Sequence, residues 1–251
     1  MKSISLRLMI LSLLIVSCTP DTTDTSDSTN SEINNKKSKK TARYVQSLNS
    51  LNPISPENPA NMYDLAGKLH NDILDIYLSG NYQYNTIEEI SQQIEAIAAE
   101  NNDLMILNVG TDLPINLDLV QEIINNPQAA LDEAIVNSIM TNAAKSSLSS
   151  FMNDVLLWEN NPYEEIYQSI VTYESAVMTN PEYNGEDKRI ILTTSSIVRY
   201  SIYYDLIDKD KDWDTSKGHR VGGLSGAIYN SSIAVRRSLV TGIMINNLAT
   251  E

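Results

Sequence analysis

Asp208, Asp210, Asp212 and Asp214 stand at every second position of a seven-residue stretch, the alternation with which a calcium-binding loop presents its carboxylate oxygens. The match then stops. Trp213 occupies the place where the tight turn of such a loop needs glycine, and His219 the place where a bidentate glutamate closes the shell. Lys209 and Lys211 also weaken the local negative potential. The competing reading is a solvated turn between helices, laced with local salt bridges. Calcium is the one cofactor this loop suggests, and the rest of the chain suggests none.

Histidine occurs twice, at His70 and His219. A zinc site needs both rings together with a carboxylate such as Asp72 or Asp214, and a metal-dependent enzyme of this kind would be built on His70, Asp64 and His219. Two histidines this far apart carry no ligand spacing of their own. His70 lies beside an apolar stripe, where a hydrogen-bonded residue at the edge of the core is the plainer expectation. Ser225, in Gly223-Leu224-Ser225-Gly226-Ala227, looks faintly like a nucleophile elbow, but that motif requires a preceding strand and none is legible. The pairs Gly222/Gly226 and Gly223/Ala227 read better as small residues one helical turn apart that admit a neighbouring helix. Tyrosine outnumbers phenylalanine thirteen to one, so aromatic volume arrives with hydroxyls that need partners. Tyr200, Tyr203 and Tyr204, or Tyr163 and Tyr167, are placed either to line a polar groove or to sit at the core's edge.

The chain begins with Lys2 and Arg7, an apolar run from Leu8 to Val16, and Ser17 before Cys18, the only cysteine. The run is too short to span a bilayer and reads as a secretion signal over residues 1–17. Ile15-Val16-Ser17-Cys18 resembles the lipobox of bacterial lipoproteins, in which the thiol acquires a diacylglycerol and becomes the new amino terminus. The resemblance implies that Cys18 is acylated, palmitate being the usual chain, and that the membrane is a partner through this anchor. Thr19 in place of Asp implies an outer-membrane address in the cell envelope, periplasmic or surface-exposed. With no second cysteine, disulfides and thiolate metal sites are excluded.

The net charge of -14 argues against nucleic acid and against an anionic lipid face as partners. It is also uneven. From Tyr44 to Asp187 there are 22 acids against Lys68 and Lys145; from Lys188 onward there are 9 bases against 6 acids. Either the later helices pack beside the earlier ones and the signs pair, or the acidic part meets a protein partner with a basic surface.

These features sit on a legible framework. Residues 18–60, rich in Ser, Thr, Asp and Asn and then basic from Lys36 to Lys40, cannot bury enough apolar surface to offset ordering and read as a lipidated flexible linker. From 61 to 251 the periodicity predicts an all-α, single-domain bundle of about six to seven helices. The helices expected are Asn61–Ser79, one from Thr86 with a capping box to Glu89, Leu117–Ile124, one opened by Asn126-Pro127 with a break near Ser146-Ser147, one from Asn161-Pro162 to Met178, Lys188–Ile207 and Val221–Leu248. Leu104 to Val109 reads as a strand or buried loop. Arg236 and Arg237 in the last helix are incompatible with a transmembrane span.

Asn61-Met62-Tyr63-Asp64-Leu65-Ala66-Gly67-Lys68-Leu69-His70-Asn71 resembles the opening of a group of secreted or lipid-anchored bacterial proteins that end in a Gly/Ala-rich segment, as Gly222 to Ala227 does here. The resemblance supports a domain start and marks Tyr63, Asp64, Gly67, His70 and Asn71 as a candidate cluster; it supplies no reaction and no catalytic residue. The functional expectation is a lipid-anchored envelope protein with a non-catalytic binding or scaffolding domain. An immunity or inhibitor protein that uses an acidic face against a cationic toxin, and the metal-dependent enzyme, are the alternatives.

Overall fold

The computed structural model describes residues 54–108, 110, 113–158, 160–205 and 213–250, without the side chains of 213–216 and 250. The secretion signal, Cys18, most of the linker, and Asp208, Asp210 and Asp212 lie outside the described residues. Everything described belongs to the unit Asn52–Glu251. It is all-helical: α1 Asp64–Ser79, α2 Ile87–Ala99, α3 Asn102–Ile106, α4 Leu117–Asn125, α5 Pro127–Asn137, α6 Asn142–Leu157, α7 Tyr163–Thr179, α8 Gly185–Tyr203, α9 Trp213–Ala227 and α10 Ser231–Thr250.

Polar caps cut the chain into these pieces. The side-chain oxygens of Thr86, Asn101, Asn116, Asn126, Thr141 and Asn184 each accept a backbone N–H in the first turn of α2, α3, α4, α5, α6 and α8, relieving donors that have no partner inside the helix. Such capping explains why ten described helices replace the six or seven expected. Asn101 starts α3 where a strand or loop is expected. The last expected helix is two, because Asn230 Oδ1 accepts Ile233 N–H at 2.8 Å and starts α10 after a short turn. The expected break at Ser146-Ser147 falls instead at residues 138–141, between α5 and α6, and α6 runs unbroken. Trp213 and Asp214, expected in the charged loop, belong to α9.

The centre is made by α8, α9 and α10, packed on one another. Around them, α1 lies on α8 and α10, α2 and α4 on α10, α5 on α9, and α7 on α8. Residues 190–202 of α8 and 231–243 of α10 are buried with scarcely an interruption. A helix buried all round has no polar face, and these two carry instead short hydroxyls that bond back to their own turns, such as Thr194 Oγ1 to Ile190 O and Thr241 Oγ1 to Arg237 O, both 2.8 Å. Small residues bring the centre close. A Cβ on Gly226 would lie 2.5 Å from the Cα of Ala234, and one on Gly222 2.8 Å from Arg237 O. Gly223 faces Ile197 of α8, and Ala227 is fully buried. The stripe Gly222, Gly223, Gly226, Ala227 is the contact of α9 with its two neighbours.

Candidate functional site

The candidate cluster of the opening segment lies at the contact of α1 with α8. Gly67 leaves room for α8: its N–H donates to Ser196 Oγ at 3.1 Å, and Ser196 Oγ donates to Asp64 O at 3.0 Å. Tyr63 is half-buried beside it, with its N–H on Asn61 Oδ1 at 2.9 Å.

Below this contact Arg199 of α8, with no side-chain exposure, bridges two carboxylates through Nη2, at 2.5 Å from Asp64 Oδ1 and 3.2 Å from Glu174 Oε1 of α7. Burial works against the guanidinium charge, but Glu174 and Asp64 outweigh it and hold its pKa above the ordinary value. Glu174, fully buried, is saturated with donors: Asn58 Nδ2 at 2.5 Å, Asn61 Nδ2 at 3.0 Å and Ser195 Oγ at 2.8 Å, besides Arg199. Asp64 Oδ2 accepts from Asn58 N–H and from Tyr200 OH, both 3.2 Å. Burial, with Asp64 adding to it, pushes the Tyr200 phenol up, so this hydroxyl stays a donor. Residues 56–61 thus form a strap across Glu174, pinned further by Tyr167 OH on Glu57 O at 2.8 Å. The ordered fold therefore begins before Asn61, inside the stretch expected to be linker, because Pro56 and Asn58 are already buried.

The same interface continues to the histidines. Asn71 Nδ2 donates to Tyr200 O at 3.0 Å, which leaves Asn71 Oδ1 facing His70 Nδ1 at 2.9 Å. His70 must then carry its proton on Nδ1 and present a bare Nε2, and that atom lies 2.9 Å from His219 Nδ1. His219 is therefore the donor to His70. Burial pushes His70 down to about 4 against the bond to Asn71, and burial, then His70 and Arg220, hold His219 well below the usual histidine range. His70 is fully buried rather than at the core's edge, and the His219 ring fills the space a side chain at position 242 would need.

Of the residues considered for a metal, the fold thus brings His70 and His219 into contact but commits Asp64 to Arg199. Among the described residues no three or more His, Cys, Asp or Glu side chains converge as a metal would require. Tyr163, Tyr200 and Tyr204 are buried, and Tyr163 packs on Tyr167, tilted, and on Tyr203, edge-on, with ring centroids 6.1 and 5.3 Å away, so these rings fill space rather than line an open groove.

Glu174, Arg199 and Asn58 escaped the sequence reading. One signal was there: Glu174 continues the Ile166, Ile170 row at helical spacing, where a carboxylate is out of place unless buried with a partner.

The later bases turn inward. Arg199, Arg220, Arg236 and Arg237 are all buried. Arg236 meets Glu95 at 2.6 Å, while Arg237 donates to Ser225 O at 2.8 Å and lies over the Tyr229 ring at 5.2 Å. Burial pushes Arg220 and Arg237 down to about 10, still fully charged at neutral pH. Acids remain outside: Glu88, Glu122, Glu133, Asp154, Glu164 and Glu182 are exposed, and among the described residues Lys68 is the only base that is, 2.5 Å from Asp72. No protein-family model, curated protein or solved structure matches this chain. No described helix is long and apolar enough to cross a membrane.

Proposed function

We propose that this chain is a lipid-anchored protein of the bacterial cell envelope, held by Cys18 and sorted to the outer membrane, whose helical domain is a non-catalytic binding module for a protein with a basic surface. One observation carries the binding half of the reading: the fold buries Arg199, Arg220, Arg236 and Arg237, and leaves an outer layer of acids with Lys68 as the exposed base among the described residues. Such a layer attracts a cationic partner and speeds its encounter. The polar groups at the α1–α8 contact support the same reading, because Asp64 and Glu174 are taken up by Arg199, and Asn71 and His70 by each other, by Tyr200 O and by His219. An inhibitor that covers a cationic toxin or enzyme is one form of this function.

The test is recovery of a partner from solubilised envelope at low salt. A basic protein whose affinity falls steeply with added salt, and falls again when Glu164 and Glu165 are changed to Gln, is the expected result. No reproducible partner, or one indifferent to salt, refutes the reading.

A further inference from the structure

The acidic layer is broken by an apolar patch where the start of α1, the end of α3 and the α9–α10 turn come together. Met62 is 78% exposed, Ile106 69% and Tyr229 52%, and with Tyr63, Leu107 and Arg189 they line a groove of about 270 Å³. Each is held in place by its neighbours. Met62 is thrown outward because Asn61 beside it is pinned to Glu174 and Leu192 O, both 3.0 Å away. Ile106 ends a helix too short to bury more than Leu104. Tyr229 is backed by Arg237. Contiguous exposed apolar side chains on a rigid platform mark a contact surface.

Charge decides what that surface fits. Arg189, the one base among the described residues that lines the groove, is tied to Glu186 at 2.7 Å and to Ala227 O at 2.7 Å, and Lys68, the exposed base of α1, is held by Asp72 with Asp103 and Glu57 nearby, so neither is an unneutralised cation. A second copy would bring a chain of charge -14 against another of -14, and an anionic bilayer would be repelled likewise. A segment with Lys or Arg on either side of a large apolar residue is attracted by the field and has a groove for its anchor. We propose that this groove is the docking site for such a basic, apolar-anchored segment of the partner, an inference that rests on the reading under Proposed function.

A photo-crosslinking residue at Met62 of the full chain in cells, with Val136 on α5, 68% exposed, as the comparison site, tests it. The expected product, formed at Met62 and not at Val136, is one foreign protein joined through a segment with an apolar residue flanked by Lys or Arg. A synthetic peptide of that segment should bind the purified full chain, more than tenfold more weakly to Met62→Asp or Ile106→Asn and within twofold to Val136→Asp. Crosslinks to a second copy, to lipid or to a segment without flanking bases overturn the proposal, as does no crosslink at Met62. Binding of the partner that falls with salt and with Glu164→Gln and Glu165→Gln but ignores Met62→Asp removes the groove and leaves the acidic-face reading standing. Loss of both responses removes both.

Discussion

His70 Nε2 accepts the Nδ1 proton of His219 across 2.9 Å, 149 residues apart in the chain and with the two rings nearly perpendicular. The contact joins α1 to α9, and it requires a neutral His70, since a proton on His70 Nε2 turns the acceptor into a second donor.

Stability should therefore fall with acid. Burial lowers both folded pKa values below the ordinary 6.5, His70 to about 4. The unfolded chain binds these protons first, so the contribution is complete above about 6.5 and declines as pH falls toward 4, by roughly 3 kcal/mol for His70 alone. Urea unfolding of the native chain and of His70→Gln, followed from pH 7.5 to 4.5, reads the effect. The native chain should lose stability more steeply, and parallel profiles refute the assignment.

Arg199→Met leaves Asp64 and Glu174 facing each other without their shared cation, and Glu174 is fully buried. Stranding a buried carboxylate costs about 3–5 kcal/mol. Glu174→Gln keeps an acceptor and a similar shape and should cost less than the arginine change. Denaturant midpoints of the two variants give the comparison, and an order reversed from this one contradicts the described network.

Gly226→Ala places a methyl against backbone that cannot rotate away, 2.5 Å from Ala234 Cα. A cost of at least ~1–3 kcal/mol follows from overpacking at the α9–α10 contact. Gly185→Ala at the start of α8 meets nothing within 4 Å and should be neutral or stabilising by about 0.4–1 kcal/mol, because it restricts the unfolded chain. Thermal melts that fail to separate the two refute the close packing.

Cys18→Ser should abolish incorporation of radiolabelled palmitate and move the protein from the membrane to the soluble fraction. Each buried acyl CH₂ contributes about 0.8 kcal/mol to membrane binding, so the chains outweigh any adventitious adhesion of an acidic domain. Unchanged labelling or fractionation of Cys18→Ser removes the anchor from the proposed function.

Single-face periodicity reads well where one face meets solvent. Ile87, Ile90, Ile94 and Ile97 are legible as α2 because the residues between them are polar, and Thr86 with Glu89 marks its start. The turn between α9 and α10 was not legible, because both helices are buried all round and their small and hydroxyl residues make no stripe. Charge pairing stayed open for a similar reason: an excess of acids before residue 188 and of bases after it is a sum, and a sum does not say which side chains face one another.

The amino-acid order by itself determined that the chain is helical, that it is acidic, that disulfides are excluded, and that Asp64, Gly67, His70 and Asn71 share one stretch of helix. These follow from local spacing and composition. Only the tertiary structure decided that Asp64 goes to Arg199 and His70 to His219, that residues 56–61 close over Glu174, and that Arg199, Arg220, Arg236 and Arg237 point in while most of the described acids stay outside. Each of those depends on which helices become neighbours, and that is set by the packing of α8, α9 and α10 over distances no sequence window spans.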